Sequence, residues 1–489
     1  MVETARRTGL SRRALLGAAA AFPVNTVLPA RAQPAADNDV LDVAIIGAGL
    51  AGLTAARDLS RADHLTFVVL EASERVGGRT LNLDLGNVYV SEAGGQWIGP
   101  GQTAIADLAR ELNVGTFPTY YEGKTVFLAG DGKVVLDLEG TFGTDETVAA
   151  QLDALARTVP SGAPWQAETA QQLDRRSLGD WLAEQNFPPI DRIGWNMSAF
   201  LTTGVMPAKM SLLHFLSMIS SANGRYVELD SIKNSAQETR FVGGSQILSI
   251  KMAQALDEQI LLNTPVLRIS NWNAPVVTIE TTRGQVKARQ VVLALSPALC
   301  NRITFDPPLP AARQALQSAW PAHSPARKVT LVYDTPFWRA QGLNGHIMQA
   351  GGPVVWAFDN SPPDGSLGVI NAFVMQAMVP SDLGQTRDML TEIYAKAWGE
   401  QARHPVQIQD HDWSHEPYAM SCVSAIPPGF WTRHGKALHP SVGNLIWSGT
   451  ETAKVWAGYM DGAVRSGHAA ALEVLDRLGK SAAIQMEAG

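Results

Sequence analysis

The sequence predicts an α/β fold divided into two domains, and three observations support this prediction. The chain has 489 residues, which is more than one small hydrophobic core can organise. Apolar residues make up 46% and charged residues 17%, the balance of an ordinary soluble globular protein. Residues 40–46 form a β-branched run that leads into a glycine-rich turn at 47–52 and then into a helical stretch. A short apolar run followed by a helix in this way predicts a buried parallel strand.

The glycine-rich turn has the pattern G-x-G-x-x-G, with Gly47, Gly49 and Gly52. In a Rossmann-type unit the first glycine permits the tight turn, the second lets the backbone approach a pyrophosphate, and the third lets helix and strand pack closely. The N-terminus of the following helix offers unpaired N–H groups to phosphates. A second predicted strand, at 65–70, ends at Glu71, whose carboxylate can accept both ribose hydroxyls. The pattern alone is weak evidence, but this context predicts a bound dinucleotide.

The residues that begin with Glu71 distinguish FAD from NAD. They read EASERVGGRT and place Arg75 and Arg79 in a glycine-rich loop that includes Gly78. Such a loop brings two positive charges and bare backbone beside the pyrophosphate and the isoalloxazine end. Nicotinamide enzymes of this fold do not require such an extension. The run is similar to the E-x-x-x-R-x-G-G-R motif of glutathione-reductase-like flavoproteins. The predicted cofactor is therefore FAD.

Further blocks along the chain occur in a fixed order. They are 92–100 (EAGGQWIGP), 240–245 (RFVGGS), 305–310 (FDPPLP), 449–453 (GTETA) and 456–464 (WAGYMDGAV). With these blocks the chain resembles the flavin-containing amine oxidase family over nearly all of the mature sequence. The resemblance implies the amine oxidase architecture, in which a glutathione-reductase-like FAD-binding Rossmann domain is joined to a substrate domain of mixed sheet and helices. The FAD-binding domain is predicted at 38–115, 240–324 and 411–480, and the substrate-binding domain at 116–239 and 325–410.

The resemblance also implies a set of cofactor contacts. In this family a backbone group at the position of Val266 holds the adenine, the N–H of Met460 contacts the flavin pyrimidine edge, and Glu451 lies along the ribityl chain. The helix that follows the last block supports this assignment independently, because a helix N-terminus stabilises negative charge on a reduced flavin. The predicted cofactor-binding residues are Gly47, Gly49, Gly52, Glu71, Arg75, Gly78, Arg79, Gly95, Gln96, Trp97, Val266, Trp413, Cys422, Gly449, Glu451 and Met460.

Two residues are predicted to act in catalysis. Lys328 lies eight residues before the run PFW at 336–338, where the family places a lysine that holds a water at flavin N5. Taken alone, a lysine at the start of an apolar strand also fits a side chain whose head group reaches the solvent. Tyr459 resembles one wall of the aromatic cage that flanks the amine and excludes water. The alternative for Tyr459 is a core tyrosine that caps a helix.

Cys422 has two open interpretations. The segment YAMSC at 418–422 resembles the one that carries a thioether to the flavin 8α-carbon in mitochondrial monoamine oxidases, but Val423 stands where the family has tyrosine. Cys422 is therefore either a covalent tether for FAD or a buried free thiol. The valine also leaves the aromatic cage without its usual second wall, for which Trp413 or Trp356 is a candidate replacement.

Four residues are predicted to contact the substrate because of their positions in the family motifs: Gln237, Trp356, Phe373 and Val423. Ordinary core packing is the alternative for Gln237 and for the two aromatic residues. The predicted reaction converts an amine, a primary monoamine with an apolar or aromatic tail, to an iminium and then to an aldehyde or ketone plus ammonia. In the same cycle O2 is reduced to H2O2.

Other functions stay open on the same scaffold. An L-amino-acid oxidase needs a cavity arginine to clamp a carboxylate, and Arg225 and Arg240 are the candidates. A diamine or polyamine oxidase needs acidic residues for a distal ammonium, and Glu228 and Asp230 are the candidates. An amine dehydrogenase passes electrons to a periplasmic cytochrome instead of O2. A flavoprotein that binds ligands without turnover belongs to a different class.

The first 32 residues are predicted to be an export signal that is not part of the fold. An arginine pair at 12–13 precedes an apolar, alanine-rich run, and the small-residue site Ala-Arg-Ala follows at 30–32. The paired arginines suggest the twin-arginine route. We therefore expect a periplasmic or secreted bacterial protein, the alternative being a tail with a chance arginine pair.

Charge and composition limit the partners. The net charge of −7 argues against nucleic-acid binding, which needs a basic face. No further apolar run has the length of a membrane span. The ten histidines and two cysteines lack the spacing of a metal site, so no metal is predicted. The expected partners are a small-molecule amine and an electron acceptor, and a homodimer is a candidate assembly.

Overall fold

The structure is a computed structural model and describes most of the chain. The described residues are 40–86, 89–130, 132–136, 144–322, 326–421 and 424–480. The predicted export signal at 1–32 lies outside these ranges, as do Cys422 and Val423, and the roles suggested for them stay predictions. Within the described ranges the chain forms two large β-sheets, two small ones and a cluster of helices.

The strands of the described residues are numbered in chain order. They are β1 Val40–Ile46, β2 Phe67–Leu70, β3 Asn82–Gly86, β4 Tyr89–Glu92, β5 Trp97–Ile98, β6 Thr116–Pro118, β7 Lys124–Ala129, β8 Gly132–Leu136, β9 Thr239–Phe241, β10 Ile260–Leu261, β11 Val266–Ser270, β12 Val277–Thr281, β13 Gly284–Ala294, β14 Thr304–Asp306, β15 Ala326–Tyr333, β16 Leu343–Ala350, β17 Val354–Asp359, β18 Gly368–Met375, β19 Gln407–Asp412 and β20 Leu445–Ser448.

The α-helices of the same ranges are numbered likewise. They are α1 Leu50–Leu59, α2 Thr103–Glu111, α3 Glu146–Ala156, α4 Ala170–Asp174, α5 Leu178–Ala183, α6 Pro189–Thr203, α7 Leu212–Ser221, α8 Val227–Asp230, α9 Gln246–Leu256, α10 Ala311–Ala319, α11 Leu383–Trp398, α12 Phe430–His434 and α13 Met460–Arg477. Among the helices that the structure describes, none combines the length and apolar character needed to cross a membrane.

An eight-stranded sheet forms around β1. Its order is β10-β2-β1-β13-β12-β11-β14, and β20 pairs with the end of β13. β1 is parallel to both β2 and β13, so that Ile46 pairs with Leu70 on one side and Leu293 on the other. This position follows from the sequence, because a strand that is apolar on both faces belongs inside a sheet covered by helices. The predicted strand–turn–helix unit is confirmed, although the second strand begins at Phe67 rather than at residue 65.

A seven-stranded mixed sheet forms the second large layer. Its order is β19-β15-β18-β17-β16-β7-β8, and its pairs are antiparallel except for the parallel pair of β16 and β7. β15 carries Lys328, which pairs with Phe373 on β18. β19 belongs to this sheet, so the predicted boundary between 410 and 411 falls within one of its strands. The division into domains otherwise stays a prediction.

A helical cluster closes the remaining side. Helices α3 to α8 share one apolar core with α10 and α12, in which Trp195, Phe215 and Trp431 are among the largest side chains. Side-chain caps open some of these helices: Ser211 accepts from the backbone of α7, and a capping box between Ser177 and Asp180 opens α5. Leu201 and Thr202 of α6 and Met218 of α7 border the cavity described next.

Candidate active site

One cavity extends from the eight-stranded sheet to the helical cluster and the mixed sheet. The empty space that it spans, including its open mouth, is about 2080 Å³. The nucleotide end is lined by Gly47, Gly49, Glu71, Arg75, Gly78 and Arg79. The aromatic end is lined by Trp97, Leu201, Gln237, Trp356, Phe373 and Tyr459. The cavity is therefore continuous from the glycine-rich turn to the aromatic residues.

The glycine turn at the nucleotide end has no space for side chains. Gly47 has a φ of +103°, and a Cβ there would lie 2.8 Å from the Ala294 carbonyl oxygen. A Cβ on Gly52 would lie 1.9 Å from the Gly47 oxygen, because α1 packs directly against the turn. Gly49 precedes α1 and faces Gly78 across the cleft, where a Cβ on Gly78 would lie 3.4 Å from the Gly49 Cα. Bare backbone beside a helix N-terminus is the cradle that a pyrophosphate needs, so these residues fit FAD.

Glu71 is fixed at the end of β2 by two backbone donors. Its Oε2 accepts from the N–H of Ala48 at 2.6 Å, and its Oε1 accepts from the N–H of Ser73 at 2.8 Å. The residue is buried yet lines the cavity. Since each carboxylate oxygen can accept a second hydrogen bond, both remain able to bind ribose hydroxyls. The geometry suits the role that the sequence predicts.

The two arginines of the loop hold it in shape. Arg75 donates to the carbonyl oxygen of Gly78 at 3.0 Å and lies 3.7 Å from Glu416. Burial lowers the pKa of Arg75 below its ordinary value, although the carboxylate of Glu416 acts in the opposite direction. Arg79 lies 2.8 Å from Glu451, whose side chain is 3% exposed. This ion pair connects the loop to the segment that follows β20, and Arg79 itself lines the cavity.

The N-terminus of α13 also faces the cavity. Gly458, Tyr459 and Met460 line it at the start of this 18-residue helix. No side chain caps the helix at Tyr459, so its first-turn N–H groups are not taken by a capping oxygen. A long helix presents partial positive charge at this end. The placement agrees with the flavin contact predicted for Met460.

Lys328 is buried behind the cavity wall and does not line the cavity itself. Its Nζ donates to Gln96 Oε1 at 2.7 Å and to the carbonyl oxygens of Gly94 at 2.8 Å and Glu92 at 3.3 Å. The ring of Phe373 lies 4.8 Å from the same atom. The alternative of a lysine that reaches the solvent is therefore wrong, because its head group is held inside by carbonyl oxygens. Gln96 connects Lys328 to the cavity, which it lines.

Stacked aromatic side chains form the wall of the aromatic end. The rings of Trp97 and Trp356 lie 5.5 Å apart at 29°, and those of Trp356 and Phe373 lie 6.3 Å apart at 12°. His346 packs edge-on to Trp356 from behind, and burial lowers its pKa to about 4, so its ring is neutral at pH 7. Tyr459 lies edge-on to a buried tryptophan at 456, with centroids 5.0 Å apart. The rings of this wall are therefore closely packed, and the neutral His346 adds no charge beside Trp356.

Gln237 supplies a polar group at this end. Its Nε2 donates to the Leu229 carbonyl oxygen at 2.9 Å, which fixes the amide and leaves Oε1 as the acceptor. Among the described residues, no hydrogen-bond donor reaches that Oε1. Leu201 and Thr202 from α6 and Met218 from α7 complete the wall. None of these three was predicted from the sequence, since residues at helical spacing give the same signal whether they pack in a core or line a cavity.

Some residues that the sequence suggested lie away from the cavity wall. Trp413 is buried and donates to the Ala93 carbonyl oxygen at 2.9 Å, so it supports the segment before Gly95 and is not among the lining residues. Of the two tryptophans suggested as a second cage wall, only Trp356 lines the cavity. Gly52 and Glu451 do not line the cavity either. Gly52 packs against Gly47, and Glu451 forms an ion pair with Arg79, and it is Gly47 and Arg79 that line the cavity.

The charged candidates for other substrate classes are engaged elsewhere. Arg240 lies 2.9 Å from Glu92, and Arg225 is 63% exposed beside Glu228. None of these residues lines the cavity, and the side chain of Asp230 is outside the described part of the structure. Within the described ranges, no group of three or more histidine, cysteine or acidic residues is arranged to hold a metal ion.

Comparison with known proteins identifies the family. Residues 50–475 match the family described as flavin containing amine oxidoreductase. AofH of Mycobacterium tuberculosis, provisionally named a flavin-containing monoamine oxidase, is 38% identical over 89% of this chain and 96% of its own. A putrescine oxidase bound to putrescine is similar with a TM-score of 0.82 and 31% identity, over 90% of this chain and 100% of its own. A cyclohexylamine oxidase of Brevibacterium oxydans gives a TM-score of 0.82 at 28% identity, again over 90% and 100%.

Proposed function

This chain belongs to the flavin-containing amine oxidoreductase family and is an FAD-dependent oxidoreductase that oxidises amines, and on that premise we propose that its substrate is a primary monoamine with an apolar or aromatic tail. The amine is oxidised to an iminium, which hydrolyses to an aldehyde or ketone plus ammonia. The electrons pass to O2, which is reduced to H2O2.

The absence of charge at the aromatic end is the observation that supports this substrate class. Among the described residues, the charged side chains that line the cavity are Glu71, Arg75, Arg79, Arg302 and Glu416. Glu416 pairs with Arg75, and Arg302 follows β13 on the side of the eight-stranded sheet. The aromatic end has rings, aliphatic chains and an amide. Such a wall favours an apolar tail, since a second charge there would be desolvated without a partner.

The same wall favours the reactive form of the amine. An alkyl ammonium titrates near pH 10, as lysine does, so removing its proton at pH 7 costs about 4 kcal/mol. Desolvation by Trp97, Trp356 and Phe373 lowers the pKa of an amine and offsets part of this cost. FAD, when bound, accepts the hydride that leaves the carbon next to the nitrogen. Gln237 Oε1 can accept an N–H of the neutral amine, and the Tyr459 ring excludes water beside it.

Reoxidation by O2 is assigned to the surroundings of Lys328. The buried ammonium provides a fixed positive charge behind Gln96, and positive charge favours transfer of electrons to O2. A periplasmic cytochrome is the alternative acceptor, and the predicted export signal is the feature that favours it.

The comparison with a putrescine oxidase makes a diamine the second candidate substrate. A diamine needs a partner for its distal ammonium, and the candidate Glu228 lies beside Arg225 away from the cavity wall. An amino acid needs a cation for its carboxylate, and the candidate Arg240 is paired with Glu92. Both alternatives are therefore less well supported than a monoamine.

A matched set of substrates tests the proposal. Hexylamine and 1,6-diaminohexane have the same six-carbon chain and differ only in a second amino group. Norleucine also has six carbons, but its C1 is a carboxylate and its amine is on C2. We expect peroxide release with hexylamine at a kcat/KM roughly 100-fold above the other two, because burying an unpaired charge costs several kcal/mol. Faster turnover of the diamine or the amino acid would reverse the assignment of substrate class. Flavin reduction without peroxide in air would instead contradict O2 as the acceptor.

A further inference from the structure

A directed chain of hydrogen bonds connects Lys328 to a buried carboxylate. Lys328 donates to Gln96 Oε1 at 2.7 Å, and Gln96 Nε2 donates to Asn360 Oδ1 at 2.8 Å. Asn360 Nδ2 in turn donates to Glu92 Oε2 at 3.0 Å. Every donor in this chain points away from the ammonium and toward the carboxylate. Two side-chain amides therefore transmit the interaction between a buried cation and a buried anion.

The two ends of the chain determine which way each amide faces. Asn360 Nδ2 also donates to Ser91 Oγ at 2.9 Å, so Ser91 and Glu92 both accept from the side of the amide opposite Gln96. A flipped Asn360 would place its carbonyl oxygen against the Glu92 carboxylate and its NH2 against the NH2 of Gln96. Gln96 uses both groups of its amide: the oxygen accepts from Lys328 and the NH2 donates to Asn360. Asn360 therefore fixes the far side of the amide whose oxygen faces the ammonium.

The chain is fully removed from solvent. Lys328 is 3% exposed, Gln96 and Asn360 are each 1% exposed, and Glu92 is not exposed at all. Glu92 also lies 2.9 Å from Arg240, whose side chain is 5% exposed. One carboxylate therefore serves two buried cations, Arg240 directly and Lys328 through the amides. Inside a protein such networks strengthen each member, and breaking one link leaves a buried polar group without its partner.

We propose that Asn360 is a positioning residue for the Lys328 ammonium and that it connects this ammonium, through Gln96, to the carboxylate of Glu92 as its counter-charge. The chain of hydrogen bonds Lys328–Gln96–Asn360–Glu92 is called the relay below. The proposal rests on the proposed function, in which Lys328 supports the reaction of the reduced enzyme with O2. Without Asn360, the NH2 of Gln96 loses its acceptor, and among the contacts of this chain only Lys328 still holds the amide. The Gln96 oxygen can then shift, which weakens the shortest hydrogen bond of the ammonium.

Separate measurement of the two half-reactions in the FAD-loaded enzyme tests this role. Asn360→Ala should slow reoxidation by O2 about ten-fold, the effect of losing one hydrogen bond to a charged group, and leave anaerobic reduction by amine nearly unchanged. Asn344→Ala is the matched control. Asn344 is also buried in the mixed sheet, but its hydrogen bonds are to Thr125 and the backbone of His346. It should change neither rate.

An isosteric variant separates positioning from filling of space. Asn360→Leu keeps a similar volume but removes both the acceptor for Gln96 and the donor to Glu92. The relay predicts slow reoxidation in this variant too. Reoxidation at the wild-type rate in Asn360→Leu, with a slow Asn360→Ala, would show that Asn360 only fills space.

Thermal unfolding gives a readout that does not depend on activity. Asn360→Ala and Lys328→Met break the same chain, so the double variant should lose less Tm than the sum of the two single losses. Strictly additive losses would refute the relay. Fast reoxidation in Asn360→Ala beside slow reoxidation in Lys328→Met would also refute it and leave the role of the lysine intact. Wild-type reoxidation in Lys328→Met would contradict the proposed function of Lys328 instead, while non-additive Tm losses would still support the relay.

Discussion

The two ends of the cavity are built differently. The nucleotide end is shaped by backbone: Gly47 and Gly52 leave no room for side chains, and Glu71 is fixed by two backbone N–H groups. The aromatic end is shaped by side chains such as Trp97 and Trp356, which come from strands of two different sheets. The shape of the nucleotide end therefore depends on main-chain atoms, which a substitution does not remove. The shape of the aromatic end depends on side-chain atoms, which a single substitution can remove.

This difference predicts different responses to mutation. A backbone-shaped site accepts one ligand geometry and tolerates no added atom, because a new Cβ meets a main chain that cannot move away. A side-chain wall can change its composition while the sheets beneath it stay in place. We therefore expect substitutions at the nucleotide end to affect folding and cofactor content, and those at the aromatic end to affect rates with particular amines.

The largest effect is expected from one methyl group at the nucleotide end. Gly52→Ala places a Cβ 1.9 Å from the Gly47 oxygen, so α1 must separate from the turn. We expect a loss of roughly 3 kcal/mol of folding stability and a protein purified with little FAD. The ratio of flavin to protein absorbance and the Tm measure both effects.

Gly384→Ala is the matched control for this substitution. Gly384 also lies in a helix, α11, but a Cβ there would meet only the end of the Asp382 side chain at 3.3 Å. It should keep its FAD and gain up to about 1 kcal/mol, since alanine favours helix more than glycine does. A Gly52→Ala protein with full FAD content would contradict the account of a backbone-shaped cradle.

A smaller effect is expected from the wall of the aromatic end. Tyr459→Leu removes a ring that lines the cavity but leaves the backbone of Gly458 and Met460 in place. We expect full FAD content and flavin reduction by amine slowed by up to about ten-fold, the value of one aromatic contact. Tyr459→Phe keeps the ring and should stay close to wild type. Loss of FAD in Tyr459→Leu would mean that the two ends are not separable in this way.

The sequence predicts the nucleotide end well because that end is local. The strand at 40–46, the three glycines and Glu71 all lie within about thirty residues, and steric demands determine each residue type. The resemblance to the amine oxidase family then locates Gln237, Trp356 and Phe373, which the structure brings to one wall. Trp413 has the same residue type and an equal claim in sequence, yet its indole is used to support a backbone carbonyl. Residue type alone does not distinguish a cavity wall from a support.

The polar network behind Lys328 is not predictable from the sequence. Asn360 follows β17, Glu92 ends β4, and 268 positions separate them along the chain. Asn360 belongs to no motif, and the block at 92–100 that begins with Glu92 does not indicate its partner. The groups are brought together by the pairing of β18 with β15 and β17 and by the packing of the 92–97 segment against them. The sequence also allows a Lys328 whose head group reaches the solvent, because the first residues of a strand do not indicate which other segments cover them.

The central claim is that an amine at the aromatic end reduces the flavin held at the nucleotide end. Anaerobic mixing of the purified enzyme with hexylamine in a stopped-flow spectrometer tests it most directly. We expect bleaching of the oxidised flavin band at a rate that saturates with amine and rises with pH as the neutral amine becomes more abundant. An enzyme that retains stoichiometric FAD and shows no bleaching with any primary or secondary amine would contradict it.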